Sequence, residues 1–335
     1  MINQSHSIDK AAGEIACAVG EDQAGRRLDQ VLAAHASQFS RTRLQAWIRA
    51  GHLQLDGAVC TQPRTAVEAG QQLRLRLPDE ARTQQRDAPP PPAQAEDIPL
   101  QIVHEDADLL VINKPAGLTV HPGAGQADGT LQNALLHRYP ELAGVPRAGI
   151  VHRIDKQTTG LLVVARSLSA HTALVRAIQA REVHREYHAV VHGVLTGGAT
   201  VDAPIGRHPA HRTRMAVREG GKPARTHYRV LERFAHHSLI AARLESGRTH
   251  QIRVHMQHQR YPLVGDPVYG QRGVRGAGMD PALRETIQRF ARQALHACRL
   301  EFEHPASGQP LAFEQPWPAD FAALVEALRN GAPGA

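Results

Sequence analysis

The first part of the chain combines the hydrophobic patterns of strands and helices. In QQLRLRLP, Leu73 and Leu75 alternate with arginines, which predicts a strand with one buried face. In RTRLQAWIRAG, Leu44, Trp47 and Ile48 recur at helical spacing. The earlier stretch LDQVLAAH has a similar apolar face. These patterns predict two helices packed on a short sheet.

Local signals place the ends of these elements. Ser40 is the expected N-cap of the second helix, and Gly51 is its expected C-terminal stop. Asp56-Gly57, in HLQLDGAVC, is a typical hairpin turn. We therefore expect the helix, the glycine and the hairpin to follow one another without an intervening loop.

The larger part of the chain is rich in strands. Strands are predicted at residues 100–105, 108–114, 160–166, 186–194, 226–234, 238–245 and 294–302. Helices are predicted at residues 129–139, 169–181, 249–259 and 320–330. Because the helices do not alternate regularly with the strands, we expect an α+β fold with a mixed or antiparallel sheet.

A proline-rich segment separates the two parts. RTQQRDAPPPPAQAED contains four consecutive prolines, Pro89 to Pro92, which favour an extended linker. We therefore expect a flexible extension over residues 1–24, a small domain over 25–80, a linker over 81–97 and a large domain over 98–330.

The charge of the chain favours a polyanionic partner. The net charge is +7, the pI is near 9.8, and 21 histidines add to this. Nucleic acid is the first expectation and an anionic membrane the second, and the alternative is that the charge serves solubility alone.

The sequence also indicates where in the cell the protein is expected. The sequence has no apolar run near the ~20 residues that a membrane helix needs. Its N-terminus lacks the pattern of a secretory signal. Cys17, Cys60 and Cys298 are too far apart in sequence to indicate a disulfide framework or a metal knuckle. A cytoplasmic protein is expected.

One carboxylate stands out in GIVHRIDKQTTGLLVVARS. Asp155 lies between Arg153 and Lys156, just before the apolar run that begins at Leu161. A carboxylate beside a buried strand needs a partner, so a structural ion pair and a catalytic acid both fit.

Several other chemistries lack their motifs. No GxGxxG or GxxxxGK[ST] follows a predicted strand, and no GxSxG appears. His152 and Asp155 supply only two potential metal ligands, and His250 and His255 are five residues apart instead of four. Neither a metal nor a phosphate loop is therefore expected.

Four segments of the large part together resemble one family. HRIDKQTTGLLVVARS is similar to the signature of the RluA-type pseudouridine synthases, which act on ribosomal large-subunit RNA. VINKPAGLTVHPG, REYHAVVHG and SGRTHQIRVHM, followed by YPLVGDPVYG, resemble further segments of that family. Gln157 and Ser246 are small departures, at positions where Asp and Thr are common.

The resemblance implies a reaction and roles for particular residues. Uridine is isomerised by moving the C1′ bond from N1 to C5 of the base, without any cofactor. Asp155 matches the essential catalytic residue, Tyr187 the active-site tyrosine, and Arg253 the basic partner of the aspartate, with Arg248 as the other candidate. Arg153 matches the residue that holds or replaces the flipped nucleotide, and Ile252 the residue beneath the base. Lys114 and His121 are expected to be structural or rim residues.

The small domain resembles another family. SRTRLQAWIRAGHLQLDGAVC, at residues 40–60, is similar to the S4 RNA-binding domain. That resemblance implies contacts to structured RNA from Arg41 and Arg43. In the large domain, the basic segment over residues 207–225 predicts a hairpin with Arg212 and Arg214 on phosphates.

Taken together, these features favour an isomerase of uridines in large-subunit (23S) ribosomal RNA or a pre-50S particle, in the stem-loop at the subunit interface. A pseudouridine synthase for another rRNA site or for tRNA is one alternative. A non-catalytic ribosome-assembly factor is another. A monomer without metal and without a membrane partner is expected.

Overall fold

The chain folds into two compact units, residues 1–92 and 93–335. The computed structural model describes residues 8–9, 14–36, 39, 41–78, 94–123, 126, 128–211, 214–270 and 279–331. The division falls within the segment expected to be a linker. Most of that segment, residues 81–93, lies outside the described residues, as does the expected cap Ser40.

The first unit is a five-stranded antiparallel sheet with two helices. Its elements are β1 (Ile8–Asp9), β2 (Glu14–Ala18), α1 (Leu28–His35), α2 (Arg41–Arg49), β3 (Leu53–Leu55), β4 (Ala58–Val59) and β5 (Gln72–Arg76). The strand order is β1-β2-β5-β3-β4. As the patterns predict, Leu73 and Leu75 are fully buried, and they share a core with Leu44 and Ile48 of α2.

The expectation of a flexible extension over residues 1–24 is wrong for residues 14–18. These residues form β2, which pairs with β5, and Ile15 is buried. The sequence EIACA contains one large apolar residue and shows no clear alternation. The strand forms because β5 supplies a long-range partner, and a local pattern does not report such a partner.

The second unit is built on one nine-stranded sheet. Its main path follows the order β10-β13-β14-β9-β15-β8-β7-β6, and β16 pairs with β15. The strands are β6 (Gln101–Glu105), β7 (Leu109–Lys114), β8 (Thr159–Ala165), β9 (His184–His192), β10 (Ala199–Asp202), β13 (Arg225–Arg233), β14 (His237–Leu244), β15 (Leu295–Glu303) and β16 (Pro310–Glu314). A separate hairpin joins β11 (Ile205–Arg207) to β12 (Met215–Val217). Only β8 and β15 pair in parallel in this sheet, so it is mixed, as expected.

Helices cover both faces of the large sheet. They are α3 (Leu131–Arg138), α4 (Leu168–Ala180), α5 (Gln251–His258), α6 (Pro281–Arg289) and α7 (Ala319–Asn330). Side-chain caps begin three of them: Thr130 precedes α3, Ser167 precedes α4 and Asp280 precedes α6. Every residue of β8 is buried, because alternate side chains enter the cores on the two faces. The α+β class is confirmed.

The predicted strands and helices of the second unit are all present, and the basic segment forms the predicted hairpin. The predictions omitted β10, β16 and α6, which are short or predominantly polar. Residues 94–97, assigned to the linker, belong to this unit: Gln94 O accepts a 2.7 Å hydrogen bond from Asn133 Nδ2. Glu96 accepts another from the Gly129 backbone N–H.

Candidate active site

Asp155 is held in a tight turn just before β8. Its carbonyl accepts a 3.0 Å hydrogen bond from the Thr158 backbone N–H. His152 Nε2 accepts another from the Val163 N–H at 3.1 Å, which ties the preceding segment to β8. Gly160 has φ +110°, and a Cβ there would lie 2.2 Å from the carbonyl oxygen of Ala297 in β15. The glycine therefore lets β8 approach β15 directly behind the turn.

Arg253 links Asp155 to a second carboxylate, Asp266. Arg253 Nη1 donates to Asp155 Oδ2 at 2.8 Å. Its Nε and Nη2 donate to Asp266 at 2.7 and 2.8 Å. Asp155 is thus ion-paired, and it also lines a pocket. Of the two candidate arginines, Arg253 pairs with Asp155, whereas Arg248 Nε donates to Pro223 O.

The ion pair between Arg253 and Asp266 is deeply buried. Burial alone would raise the pKa of Asp266, but hydrogen bonds from Arg253 and from the N–H groups of Val268 and Tyr269 lower it below its ordinary value. Burial alone would lower the pKa of Arg253, but Asp266 and Asp155 raise it. Arg253 is therefore a fixed cation that orients the Asp155 carboxylate.

The pocket has a volume of about 490 Å³, which includes solvent at its open mouth. Apolar groups form part of its wall: Tyr187, Leu244, Ile252 and Leu295. Its charged groups are Arg153, Asp155, Arg185, Arg248 and Arg253. Arg153 and Arg248 are exposed, whereas Arg185 and Arg253 are buried. An apolar slot with a polar floor and basic residues at its rim fits a flat, polar base on an anionic chain.

Tyr187 enters the pocket from β9. Its residue is 5% exposed, and it pairs with Ala242 of β14 and Ala297 of β15. Burial raises the pKa of the Tyr187 hydroxyl, the cation of Arg185 opposes this effect, and Asp155 adds to it. The phenol is consequently protonated at neutral pH and can donate a proton or a hydrogen bond.

Lys114 is a structural residue, as expected. Its buried ammonium donates to the carbonyls of Pro115, Leu118 and Lys156 at 2.6, 3.0 and 3.0 Å. Burial lowers its pKa to about 7, and Asp155 opposes the shift. The third carbonyl follows Asp155 directly, so Lys114 anchors the turn of Asp155. Burial lowers the pKa of His121, and the cations of Arg147 and Arg153 lower it further.

Tyr269 connects the pocket to the β11–β12 hairpin. Its hydroxyl accepts a 2.8 Å hydrogen bond from the Met215 N–H and lies 2.8 Å from His250 Nδ1. The guanidinium of Arg253 lies 5.0 Å from the centre of its ring. Sequence reasoning assigned no role to Tyr269, Leu244, Leu295 or Arg185, although YPLVGDPVYG contains Tyr269 and REYHAVVHG contains Arg185.

Both departures from the family pattern keep a structural contact. Ser246 Oγ donates to Gln251 Oε1 at 2.8 Å, at the start of α5. The carbonyl of Gln157 accepts a 3.4 Å hydrogen bond from Arg292 Nη1. Ser246 and Gln157 do not themselves line the pocket, although Gln251, the partner of Ser246, does.

The residues predicted to bind RNA lie in different settings. Arg41 donates from Nε and Nη2 to the fully buried Asp29 at 3.1 and 2.9 Å, so it supports the fold of the first unit. The guanidinium of Arg43 lies 5.2 Å from the centre of the Trp47 ring. Arg214 is partly exposed next to β12, and Arg212 lies outside the described residues.

Within the described residues, two groups of side chains have the composition of metal ligands. They are Glu186, His188 and Cys298, and Asp106, Asp108 and His304. Neither group contains Asp155 or a residue of the pocket. Within the described part of the chain, no helix combines the length and apolar character needed to cross a membrane.

Comparison with known proteins agrees with this fold. Residues 108–258 match the model of the RNA pseudouridylate synthase family, and residues 26–73 match the S4 domain model. A relative from Vibrio parahaemolyticus, called ribosomal large subunit pseudouridine synthase D, is 53% identical over 93% of this chain and 94% of its own. A Pseudomonas aeruginosa relative with the same name is 54% identical over 91% and 93%.

A solved structure shares the architecture. Human RNA pseudouridylate synthase domain containing 4 aligns with a TM-score of 0.54 and 25% identity, covering 68% of this chain and 93% of its own. This chain belongs to the RNA pseudouridine synthase family. It is an isomerase that carries an S4 domain.

Proposed function

We propose that this protein converts specific uridines of large-subunit ribosomal RNA to pseudouridine, with Asp155 as the catalytic residue. The observation that carries the proposal is the placement of Asp155 in a pocket with apolar walls, where Arg253 fixes one of its oxygens. The names of the relatives from Vibrio parahaemolyticus and Pseudomonas aeruginosa support the choice of RNA.

The geometry fits an attack by one carboxylate oxygen. Oδ2 of Asp155 accepts the hydrogen bond from Arg253. Oδ1 has no hydrogen bond from the part of the chain that the structure describes, and His250 Nε2 lies 4.0 Å from it. Oδ1 is thus the oxygen available to the nucleotide, whether it acts at C1′, at C6 of the base or on a ribose proton.

The substrate uridine must leave its stack to reach Asp155. A stacked base hides the atoms that react, so the nucleotide flips into the pocket. Ile252 and Tyr187 then contact the faces of the uracil, and the exposed Arg153 holds the backbone or fills the vacated position. At C5 the new bond to C1′ replaces the bond to hydrogen, so the C5 proton must pass to an acceptor. The phenol of Tyr187 takes this proton only after its own hydroxyl proton has passed to water or to Asp155.

The S4 unit and the β11–β12 hairpin provide RNA contacts that do not involve the reacting base. Their arginines bind phosphates, which orients the RNA without reading the reacting base. We also place the protein in the cytoplasm, as a monomer, where its RNA substrate is made and assembled. The thiols of Cys17, Cys60 and Cys298 are free, which fits a reducing compartment.

The choice of substrate is tested with several RNAs labelled with tritium at uridine C5. The wild-type protein is expected to release tritium from large-subunit rRNA, naked or in immature particles, and not from small-subunit rRNA or tRNA. Release from tRNA or small-subunit rRNA instead would contradict the substrate. Binding without release from any RNA would favour the assembly-factor alternative.

A further inference from the structure

Arg185 is a buried cation that lines the pocket beside Tyr187. The two residues are two positions apart in β9, so their side chains point to the same face of the sheet. Arg185 is only 7% exposed. It therefore lies among the inner residues of the pocket, in contrast to Arg153 and Arg248, which are exposed at its rim.

Arg185 lacks the partner that other buried arginines have. Its Nε is buried without a hydrogen-bond partner, and no carboxylate in the described residues forms an ion pair with it. Arg253 and Arg292, which are 4% and 6% exposed, each pair with an aspartate. An unpaired buried guanidinium is costly, so its retention at this place calls for a functional reason.

The neighbouring groups do not neutralise Arg185. Burial, together with the cation of Arg185, lowers the pKa of His152 to about 3, so that imidazole is uncharged at neutral pH. Tyr187 is protonated, and Asp155 is bonded to Arg253. Within the described residues no carboxylate neutralises the guanidinium, so its acceptor must come from water in the open pocket or from a bound ligand.

The backbone of the adjacent loop leaves room for this guanidinium. A Cβ at Gly247 would lie 3.1 Å from Arg185 Nη1, a close contact. The glycine of SGRTHQIRVHM thus lets the loop pass close to the arginine. The same loop leads to Ile252 and Arg253, so the guanidinium lies between two segments that form the pocket.

The burial of Arg185 indicates which part of the nucleotide it binds. Phosphates stay hydrated at the surface of RNA, and the exposed Arg153 and Arg248 are placed for them. The part that enters between Tyr187, Leu244 and Ile252 is the flat pyrimidine, whose carbonyl oxygens need donors once they leave water. We propose that Arg185 donates hydrogen bonds to a carbonyl oxygen of the flipped uracil.

This inference rests on the proposed function and adds a substrate-binding residue to it. A guanidinium that donates to O4 would also reject cytosine, which has an amino group at that position. A guanidinium that donates to O2 would not distinguish the two bases. The oxygen is identified by the experiment.

The first test compares the wild type with Arg185→Met and Arg185→Lys by tritium release and by thermal unfolding. Arg185→Met should lower kcat/KM by roughly 10- to 100-fold, the effect of losing a hydrogen bond from a charged donor. It should not lower Tm, because it removes an unpaired buried charge, and Arg185→Lys should retain part of the activity. The control Arg292→Met should lower Tm, because it leaves Asp320 without its partner.

The second test uses a synthetic RNA fragment containing a uridine that the wild type modifies, with oxygen or sulfur at position 2 or 4. Sulfur is a weak acceptor, so replacing the contacted oxygen should slow the wild type by roughly tenfold and leave Arg185→Met almost unaffected. Isomerised nucleoside is measured by liquid chromatography and mass spectrometry. The position that shows this pattern is the oxygen bound by Arg185.

Three results would overturn the inference while leaving the proposed function intact: unchanged kcat/KM in Arg185→Met, loss of both activity and Tm in that variant, or equal sulfur effects in both proteins. A wild type that modifies no RNA would refute the proposed function itself.

Discussion

At the scale of single residues, Arg253 serves two carboxylates in different environments. Asp266 is fully buried and accepts two guanidinium N–H bonds together with the backbone N–H groups of Val268 and Tyr269. This arrangement fixes the plane of the guanidinium and leaves Nη1 for Asp155. The position of the proposed catalytic oxygen therefore depends on Asp266, a residue that does not line the pocket.

Asp266→Asn should reduce both activity and stability. An amide cannot accept both guanidinium bonds as a carboxylate does, and it leaves the buried cation partly uncompensated. We expect the free energy of unfolding to fall by about 3 kcal/mol. We expect kcat to fall by roughly 100-fold, because Asp155 loses its fixed orientation. Urea denaturation and tritium release measure the two effects.

The dependence of stability on acid pH is a further test of the contact between Arg253 and Asp266. Since the folded-state pKa of Asp266 lies below its ordinary value of 3.8, its stabilisation is present above about pH 4 and is lost as the pH falls through the lower folded value. Asp266→Asn should therefore lose less stability between about pH 5 and about pH 2 than the wild type. Asp320→Asn, at a half-exposed ion pair, is the control that should keep kcat. An unchanged kcat in Asp266→Asn would contradict the positioning role.

Sequence reasoning found the pocket residues that carry a family motif and missed those that only the fold brings there. Asp155, Tyr187, Ile252 and Arg253 lie in three separate segments, and the structure places all of them around one pocket. Leu244 and Leu295 lie at strand ends with ordinary apolar patterns, so nothing local distinguishes them from core residues. The lack of a partner for Arg185 is a property of the packed structure and has no counterpart in the sequence.

At the scale of elements, the parallel pair β8–β15 supports the turn that holds Asp155. β8 follows the turn of Asp155 directly, and its first residues pair with His296 and Ala297. Thr159 at the start of β8 also hydrogen-bonds to the ring of His296 at 2.8 Å. The close approach at Gly160 makes this pairing possible. The turn is therefore held in place by the hydrogen-bonded sheet.

Gly160→Ala should disrupt this pairing. The added methyl group would meet the backbone of Ala297, and the φ of +110° is unfavourable for alanine. We expect a loss of at least ~3 kcal/mol in the free energy of unfolding, together with reduced kcat. Gly308→Ala is the matched control: its φ is +69°, but its Cβ would meet open space, so about 1–2 kcal/mol is expected. Equal losses in chemical denaturation would refute the close-approach explanation.

The elements that sequence patterns missed share a physical reason. The segments PLAFE of β16 and EIACA of β2 are five residues long and carry few large apolar side chains. They form strands because β15 and β5 offer unpaired edges. Helix α6 begins with a cap at Asp280 and a proline. Its other residues are mostly polar, so its short apolar face did not produce a clear helical pattern in the sequence. The two strands therefore depend on pairing with distant parts of the chain, which a local sequence pattern does not show.

At the scale of the whole molecule, the arginines are divided between those paired inside the fold and those exposed to solvent. Arg41, predicted to contact RNA, is bonded to the buried Asp29 of its own unit. Arg214, next to the β11–β12 hairpin, is partly exposed. The net charge of +7 therefore does not indicate which arginines are available to phosphates.

The salt dependence of RNA binding should separate these uses. Arg214→Ala should reduce the slope of log K against log salt concentration by about 1, as expected for one lost phosphate contact. Its kcat at saturating RNA should not change. Arg329→Ala, which removes an exposed arginine paired with Glu232, should leave the slope unchanged. Filter binding at several salt concentrations provides the measurement, and equal slopes for Arg214→Ala and the wild type would rule out a phosphate contact.

The most direct test of the whole account compares the wild type with Asp155→Asn in tritium release from C5-labelled large-subunit rRNA. Asparagine keeps the size of the side chain but removes the carboxylate, so release should fall to background while RNA affinity stays within a few-fold of the wild type. Asp202→Asn, at an exposed ion pair, should retain full activity. Release by Asp155→Asn at a rate near that of the wild type would contradict the catalytic role of Asp155.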